Sequence, residues 1–268
     1  MLICSSTDTH AQFIIEAAEA GKQIFCEKPI HLDLAEIDRA LAAVEKAGVK
    51  LMIGFNRRFD ANFRAVKQAI DSGQVGDLHI LKITSRDPAP PPIEYIKVSG
   101  GIFLDMSVHD FDMARFLTGS EVEEVYVQSA VRVDPAIGEA GDVDTAIINL
   151  KFEDGTLCVI DNSRQAVYGY DQRVEAFGSK GMVQAENDFP NTHRLWTADA
   201  VSSEKPLHFF LERYMDAYAT EIREFVECIN NNTPVPAGGG DGRAPVVIGL
   251  AAWQSVREGR PVKISEIE

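Results

Sequence analysis

The sequence lacks the cysteine pairs that mark zinc sites, dithiol redox motifs and disulfide frameworks. Its 268 residues include four cysteines, which lie far apart and form no C-x-x-C pair. Three of them, Cys4, Cys26 and Cys158, fall inside apolar runs that are typical of strands. Buried free thiols are typical of a reducing compartment, so the sequence predicts a cytoplasmic protein.

Positive charge and long hydrophobic runs are also scarce. Lys and Arg number 26 against 41 Asp and Glu, which gives a formal net charge of −15, and the basic residues never form a run. Such a charge repels phosphate backbones and anionic lipid, so neither nucleic acid nor a membrane surface is an expected partner. No stretch approaches the roughly 20 apolar residues of a membrane span, and no secretory signal is recognisable.

The first 56 residues alternate between short apolar strands and helices. The predicted elements are strands 1–6, 23–26 and 49–55 and helices 7–20 and 33–47. Continuous apolar strands separated by helices favour a parallel sheet that is covered on both faces, here as half of a doubly wound domain. Ligands of such sheets bind beyond the carboxyl ends of the strands, where this sequence places three polar loops.

The stretch Gly100–Gly119 combines helical periodicity with a cluster of ionisable groups. Asp105, His109 and Asp112 lie at i, i+4 and i+7, so a helix would project all three from one side. A histidine beside a carboxylate is typical of a proton-transfer site, because the carboxylate fixes the imidazole tautomer. An ordinary Asp–His pair on a helix surface is the alternative. The paired glycines before the helix favour the functional interpretation, since they would let a ligand approach the backbone.

The rest of the chain predicts a second, antiparallel sheet flanked by helices. The predicted elements are strands 78–85, 123–133, 144–152, 156–164, 172–177 and 181–185 and helices 59–72, 209–230 and 244–258. Pro88–Pro92 predicts an irregular loop, and the glycine run Gly238–Gly240 a flexible surface loop, since no GK[ST] accompanies it. The central helix is expected to cover one face of this sheet and to leave the other for a partner subunit.

Three motifs make the chain recognisable. Glu27-Lys28-Pro29, the central Gly100–Arg115 segment and the segment Asn162–Gly181 together resemble the Gfo/Idh/MocA oxidoreductases. Within that family the third motif, which contains Tyr168 and Tyr170, is most similar to the bacterial inositol 2-dehydrogenases. The resemblance extends over the whole chain.

The resemblance implies two domains. A partial Rossmann NAD-binding domain would span residues 1–56, and a substrate-binding and oligomerisation domain would span residues 57–268. The expected fold class is therefore α/β plus α+β, with a large open antiparallel or mixed sheet through which homo-dimers or tetramers form. The C-terminal helix would return toward the Rossmann part.

The resemblance also implies an activity, which is oxidation of a cyclitol or sugar hydroxyl by NAD, most closely the oxidation of myo-inositol. Lys28 would bind the substrate hydroxyl and assist proton transfer, His109 would be the acid/base, and Asp105 would be its partner. The residues implied for the polyol pocket are Arg58, Asp112, Tyr168 and Tyr170. Those implied for the nicotinamide side are Ser5, Thr7, His10 and Glu27, together with Lys28. Lys28 could otherwise be an ordinary solvated lysine.

The sequence departs from the family in one respect. Members open with a strand and a G-x-G-x-x-G turn that holds the pyrophosphate, and no such turn occurs here. The resemblance therefore implies a truncated product that lacks about two βα units, and the chain as given could be inactive for lack of the pyrophosphate-binding motif. A half sheet of this kind would also expose an apolar strand edge.

Two other interpretations are open. The chain could be a non-catalytic polyol-binding or oligomerisation subunit, although such a subunit has little use for the combination of Lys28, Asp105 and His109. Alternatively Asp105, His109 and Asp112 could bind a metal, but one histidine with two carboxylates is a poor zinc set, so no metal is expected.

Overall fold

A computed structural model describes residues 1–267, and its first 56 residues form a small parallel sheet with two helices. The elements are β1 Leu2–Ile3, α1 Thr7–Glu19, β2 Ile24–Glu27, α2 Leu34–Ala47 and β3 Leu51–Gly54. The strands run parallel in the order β1-β2-β3, which confirms the predicted parallel arrangement. Asp33 caps α2 by accepting from the Ala35 N–H, and Gly48 ends it in the left-handed conformation.

Both faces of this sheet are covered, but by different parts of the chain. Ile24 and Cys26 of β2 belong to a core shared with α1 and α2. Phe25, which points to the opposite face, belongs to the larger core of the remaining chain. The second face of the small sheet is thus covered by the C-terminal part of the protein and not by helices of its own.

The second sheet has seven strands. They are β4 Leu78–Arg86, β5 Val122–Ala130, β6 Thr145–Phe152, β7 Leu157–Ser163, β8 Asp171–Gly178, β9 Gly181–Ala185 and, after the exposed hairpin β10 Arg194–Trp196 and β11 Val201–Ser203, β12 Val262–Lys263. Their order is β12-β5-β6-β7-β4-β8-β9. The strand patterns alone predicted antiparallel pairing, which is wrong for β4 and β7, because these two strands run parallel. The mixed sheet that the resemblance allowed is confirmed. The chain leaves β4 for the central helices and β5–β6 before β7 pairs beside it, so the sheet is mixed.

The remaining helices frame the two sheets. They are α3 Ala61–Asp71, α4 Ile93–Ser99, α5 Gly101–Asp105, α6 Ser107–Thr118, α7 Pro135–Glu139, α8 Phe210–Arg213, α9 Met215–Asn230 and α10 Gly239–Glu258, with 3₁₀ turns Asn56–Phe59 and Ile264–Glu266. Within residues 1–267 no helix combines the length and apolarity that a membrane crossing requires. The glycine run predicted as a loop is instead the start of α10, where Asp241 accepts from the Gly238 N–H at 2.9 Å.

The predicted central helix is two helices that meet at Met106. A spacing of three and four between apolar residues fits one helix or two short ones equally well, so the sequence did not reveal the break. The two glycines before it are required by the backbone conformation and by close packing. Gly100 and Gly101 have φ values of 86° and 74°, and a Cβ on Gly101 would lie 2.7 Å from the Asp142 carboxylate.

Candidate active site

A cavity of about 650 Å³ lies between the carboxyl ends of the small sheet and the large sheet. One wall is formed by Glu27, the last residue of β2, and by Lys28 directly after it, and another by the junction of α5 and α6. The proline-rich loop Pro88–Pro92 and the aromatic side chains of the α8–α9 region close the far side. Its position agrees with the rule that open parallel sheets bind ligands beyond their carboxyl ends.

The break in the central helix positions Lys28. In a continuous helix the Asp105 carbonyl would accept from the N–H of His109. Here that N–H bonds to the Met106 carbonyl at 3.3 Å, and the Asp105 carbonyl accepts from Lys28 Nζ at 2.7 Å. The same ammonium lies 3.7 Å from Asp105 Oδ1. The lysine side chain is only 17% exposed, so its charge is held in the cavity wall and not in bulk water.

Asp105 is held by groups other than His109. Its Oδ1 accepts from the Tyr95 hydroxyl at 2.8 Å, and its Oδ2 accepts from Arg164 Nη1 at 3.3 Å. Arg164 is 1% exposed and is itself anchored on Asp142 at 3.4 Å. The structure therefore does not show the expected Asp105–His109 pair, because the two residues lie on different helices and the i, i+4 relation of a continuous helix does not hold across the break.

His109 presents one nitrogen to the cavity. Its Nδ1 is buried and has no hydrogen-bond partner, whereas Nε2 is neither buried nor bonded. The ring lies edge-on to Phe55, with ring centroids 6.2 Å apart. Burial, followed by the positive charges of Lys28 and Arg57, holds the pKa of His109 well below its usual value. The imidazole is therefore neutral at pH 7 and can accept a proton.

Arg58 and Asp112 do not line the cavity, contrary to the sequence-based expectation. They form a buried salt bridge with each other, in which Arg58 Nη2 lies 2.6 Å and Nε 2.9 Å from the Asp112 oxygens. Arg58 also donates to Asp241 at 2.9 Å. This pair joins the 3₁₀ turn Asn56–Phe59 to α6 and to the start of α10, so its role in the structure is to connect elements.

Of the two tyrosines in the third motif, Tyr170 lines the cavity and Tyr168 does not. Tyr170 is 7% exposed, lines the cavity, and makes edge contacts with Phe209 and Tyr214 at centroid distances of 6.1 and 5.9 Å. Tyr168 is 37% exposed and lies outside the cavity. Its hydroxyl donates to Asp171 at 2.6 Å and accepts from Arg86 at 3.0 Å. Side chains two residues apart share a face only within a strand. Tyr168 lies in a turn and both tyrosines precede β8, so this rule does not apply to them.

Only some of the residues expected on the nicotinamide side line the cavity. Glu27 and Lys28 line the cavity. His10 is 1% exposed, and its two ring nitrogens bond to the carbonyls of Pro29 and Ser5 at 2.8 and 3.0 Å, so no ring nitrogen is left for a ligand. The exposed Ser5 hydroxyl bonds to Thr9 at 2.6 Å. Thr7 is the first residue of α1 and does not line the cavity.

The nicotinamide end of a dinucleotide fits these residues. Gly54 pairs with Glu27 across the small sheet, and a Cβ at position 54 would lie 2.9 Å from Glu27 Oε2. The glycine thus leaves room for a carboxylate at the cavity edge, where it can accept from a hydroxyl. Hydrogen-bond acceptors of this kind and the adjacent Lys28 ammonium are suited to a ribose and a polarised substrate oxygen.

Several lining residues were not found by sequence reasoning. Asp87 directly follows β4, in front of the proline loop. Burial raises the pKa of its carboxyl to about 6, although the charges of Arg164 and Arg57 act in the opposite direction. The hydroxyl of Tyr214 is buried in the cavity wall without a partner. Arg57, which donates to Asp110 at 2.5 Å, also lines the cavity. Single polar residues in loops and helices carry no pattern that would have singled these out.

No metal site accompanies this arrangement in the part of the chain that the structure describes, where no group of three or more His, Cys, Asp or Glu side chains could hold an ion. Asp105 and Asp112, two of the three residues considered for a metal, point to different partners, Arg164 and Arg58.

Comparisons with known proteins agree with this geometry. A family model described as the GFO/IDH/MocA C-terminal domain matches residues 63–184, and one described as an oxidoreductase family with an NAD-binding Rossmann fold matches residues 1–55. The chain is 52% identical to the myo-inositol 2-dehydrogenase of Thermotoga maritima, over 100% of this chain and 80% of that protein. It is 49% identical to the inositol 2-dehydrogenase of Rhizobium meliloti, over 99% and 80%. The crystal structure of scyllo-inositol dehydrogenase from Lactobacillus casei with NAD(H) and scyllo-inositol superposes with a TM-score of 0.90 at 32% identity, over 98% of this chain and 79% of that one.

Proposed function

Because this chain belongs to the Gfo/Idh/MocA family of NAD-binding oxidoreductases, we propose that it oxidises a ring hydroxyl of a cyclitol to a ketone, with myo-inositol as substrate and 2-keto-myo-inositol as product. The observation that carries the proposal is that Lys28, Asp105 and His109 line one cavity at the carboxyl edge of the small sheet. In this proposal residues 1–56 contact the cofactor and residues 57–268 supply the substrate wall.

The proposed mechanism assigns each polar group one task. His109 accepts the hydroxyl proton at Nε2, the nitrogen that faces the cavity. The Lys28 ammonium donates to the same oxygen and offsets the negative charge that develops there. Asp105 keeps that ammonium in place through its carbonyl and its carboxylate. Bound NAD supplies the acceptor for the hydride that leaves the carbon.

The cavity wall supports a polyol substrate. A ring with many hydroxyls loses many hydrogen bonds to water when it binds, so its site must offer many donors and acceptors. The Tyr214 hydroxyl, His109 Nε2 and the Asp87 carboxyl are polar groups in the wall that can fill this need. The inositol dehydrogenases among the relatives support the same substrate class.

Reduction of NAD in the presence of candidate polyols tests the proposal. We expect myo-inositol to drive reduction, scyllo-inositol to react at a different rate, and glucose to react more slowly, since fewer of its hydroxyls match the ring positions of a cyclitol. Absence of reduction with every cyclitol would overturn the proposal. Calorimetric binding of inositol without any NAD reduction would instead support a non-catalytic polyol-binding subunit.

We also propose that copies of the chain assemble through the outer face of the large sheet. Leu157, Ile80 and Phe177 are direct neighbours on β7, β4 and β8, and each is 39% or more exposed. An apolar stripe across three strands is suited to burial against a second sheet. Ile80→Glu should lower the sedimentation coefficient of the assembly, with Lys46→Glu, at an exposed position of α2 outside the large sheet, as a control for added charge. Equal sedimentation of the Ile80 variant and the parent would contradict this surface.

A cytoplasmic location is part of the same proposal. Cys26, Cys158 and Cys228 are buried free thiols, and Cys4 is an exposed free thiol. Reduced cysteines in these positions support a reducing compartment. Cell fractionation with an antibody against the chain would test it.

A further inference from the structure

The first turn of α6 carries His109 and has no side-chain cap of its own. The helix begins at Ser107, and the preceding Met106 makes no capping hydrogen bond through its side chain. The first backbone N–H groups of a helix lack partners within the helix, so an end without a cap is easily disturbed. The direction in which His109 enters the cavity therefore depends on what else holds this turn.

Asn162 of β7 binds the turn at two points. Its Oδ1 accepts from the Ser107 hydroxyl at 2.6 Å, and its Nδ2 donates to Asp110 Oδ2 at 2.9 Å. Nδ2 also donates to the carbonyl of Ser85 on the adjacent strand β4 at 3.2 Å. All four residues are 0% exposed, so these bonds form where bulk water cannot replace them. Asn162 thus joins the start of α6 to two strands of the large sheet.

An amide is the side chain that satisfies all three partners. The Ser85 carbonyl and the Asp110 carboxylate, whose other oxygen accepts from Arg57, both need a donor. The amide NH₂ group supplies it, and the amide oxygen is left to accept from Ser107. Apolar contacts also hold α6 on the sheet, but they are not directional. Hydrogen bonds at two points of one turn fix the rotation of the helix about its axis.

This rotation determines where His109 points. Ser107 and Asp110 lie three residues apart and share the side of α6 that faces the sheet. His109 follows Ser107 by two residues and is turned from it by about 200° around the helix axis. Its ring therefore leaves the helix on another side, where it meets the edge of Phe55 and lines the cavity.

We propose that Asn162 is a positioning residue, which fixes the rotation of α6 and thereby directs His109 Nε2 at the reacting hydroxyl. Asn162 does not line the cavity, so it touches neither substrate nor cofactor. The inference rests on the proposed function for the role of His109 as the base. The direction of the ring does not depend on that function and can be measured separately.

The first test needs no substrate and uses NMR of protein with labelled histidine and phenylalanine rings. The parent should show a nuclear Overhauser effect between the ring protons of His109 and Phe55, which are in edge contact. Asn162→Ala removes both tethers and should abolish this signal. Ser107→Ala removes one tether, is the variant less disturbing to the fold, and should weaken the signal. An unchanged signal in both variants would overturn the positioning role.

Ser255→Ala is the matched control. Ser255 is 0% exposed and holds α10 on β5, because its Oγ accepts from the Val127 N–H at 3.0 Å and donates to the Arg260 carbonyl at 2.7 Å. It is a buried helix-to-sheet link of the same kind, but it does not line the cavity. Its loss should lower the thermal midpoint and leave both the His109–Phe55 signal and kcat unchanged. A loss of that signal in this control would show that any weakened helix contact has the same effect and would overturn the specific role of Asn162.

The second test measures turnover with NAD and myo-inositol. We expect kcat to fall about tenfold in Ser107→Ala and about 10²-fold in Asn162→Ala, with KM little changed, because a misplacement of about 1 Å has effects of this size. In a His109→Ala background neither change should lower the rate further, since residues that act as a unit are not additive. Equal losses with and without His109 would overturn the proposal. No turnover by the parent would overturn the proposed function, whereas the NMR comparison would still decide whether Asn162 directs the ring.

Discussion

Replacing His109 with alanine is expected to lower turnover by roughly 10² to 10⁴ while NAD binding is retained. The imidazole is the group in the cavity with a free nitrogen and a depressed pKa, so it is neutral at pH 7 and able to take the hydroxyl proton. Alanine leaves no base at this position. The cavity around it changes little, because Nδ1 makes no hydrogen bond that would be lost.

Steady-state rates with myo-inositol, together with NAD affinity by calorimetry, measure this effect. His193→Ala removes an exposed histidine next to the β10–β11 hairpin and should leave both quantities unchanged. Partial recovery of the His109→Ala rate by added imidazole would identify the lost group as a base. Turnover within a factor of a few of the parent would remove His109 from the mechanism.

Replacing Lys28 with methionine is expected to lower kcat and kcat/KM together by roughly 10² to 10³. Methionine keeps most of the length and the apolar stem of the side chain but removes the ammonium. The charge that lysine offsets arises only as the proton and hydride leave, so its loss weakens the transition state more than the bound substrate. Asp105 keeps its contacts with Tyr95 and Arg164 in this variant, which limits the structural effect.

The division between kcat and KM tests this role of Lys28. A raised KM with unchanged kcat would show that the lysine only binds the substrate in its ground state and would contradict the assignment. Lys22→Met is the matched control, because Lys22 is exposed at the turn after α1 and away from the cavity lining. Its kinetic constants should equal those of the parent.

Local patterns predicted the elements of the fold better than their junctions. Alternation of apolar and polar residues identified β6, and the cap at Asp33 with Gly48 identified α2, because both signals are contained within a few neighbouring residues. The break at Met106 was missed because an apolar periodicity continues across it. The parallel pairing of β4 with β7 depends on residues about 80 positions apart and has no local signature.

The candidate site shows the same division. The sequence motifs predicted that Lys28, Asp105 and His109 belong to one site, and in the structure all three line the cavity. The motifs do not show which partner a charged group selects. Asp112 is bound by Arg58, and Asp105 is bound by Arg164, through contacts between elements that are distant in sequence. Only a three-dimensional arrangement decides between such partners.

The acceptor that holds Lys28 has a consequence for how the site tolerates mutation. Its shortest hydrogen bond goes to the carbonyl of Asp105, a main-chain atom that every amino acid carries. A point mutation at position 105 can remove the carboxylate, but it leaves this oxygen at the end of α5 as long as the helix ends there. The position of the Lys28 ammonium is therefore set by the backbone at the end of α5. The negative charge around it depends on which side chain occupies position 105. Position and charge at this site can thus change independently of one another.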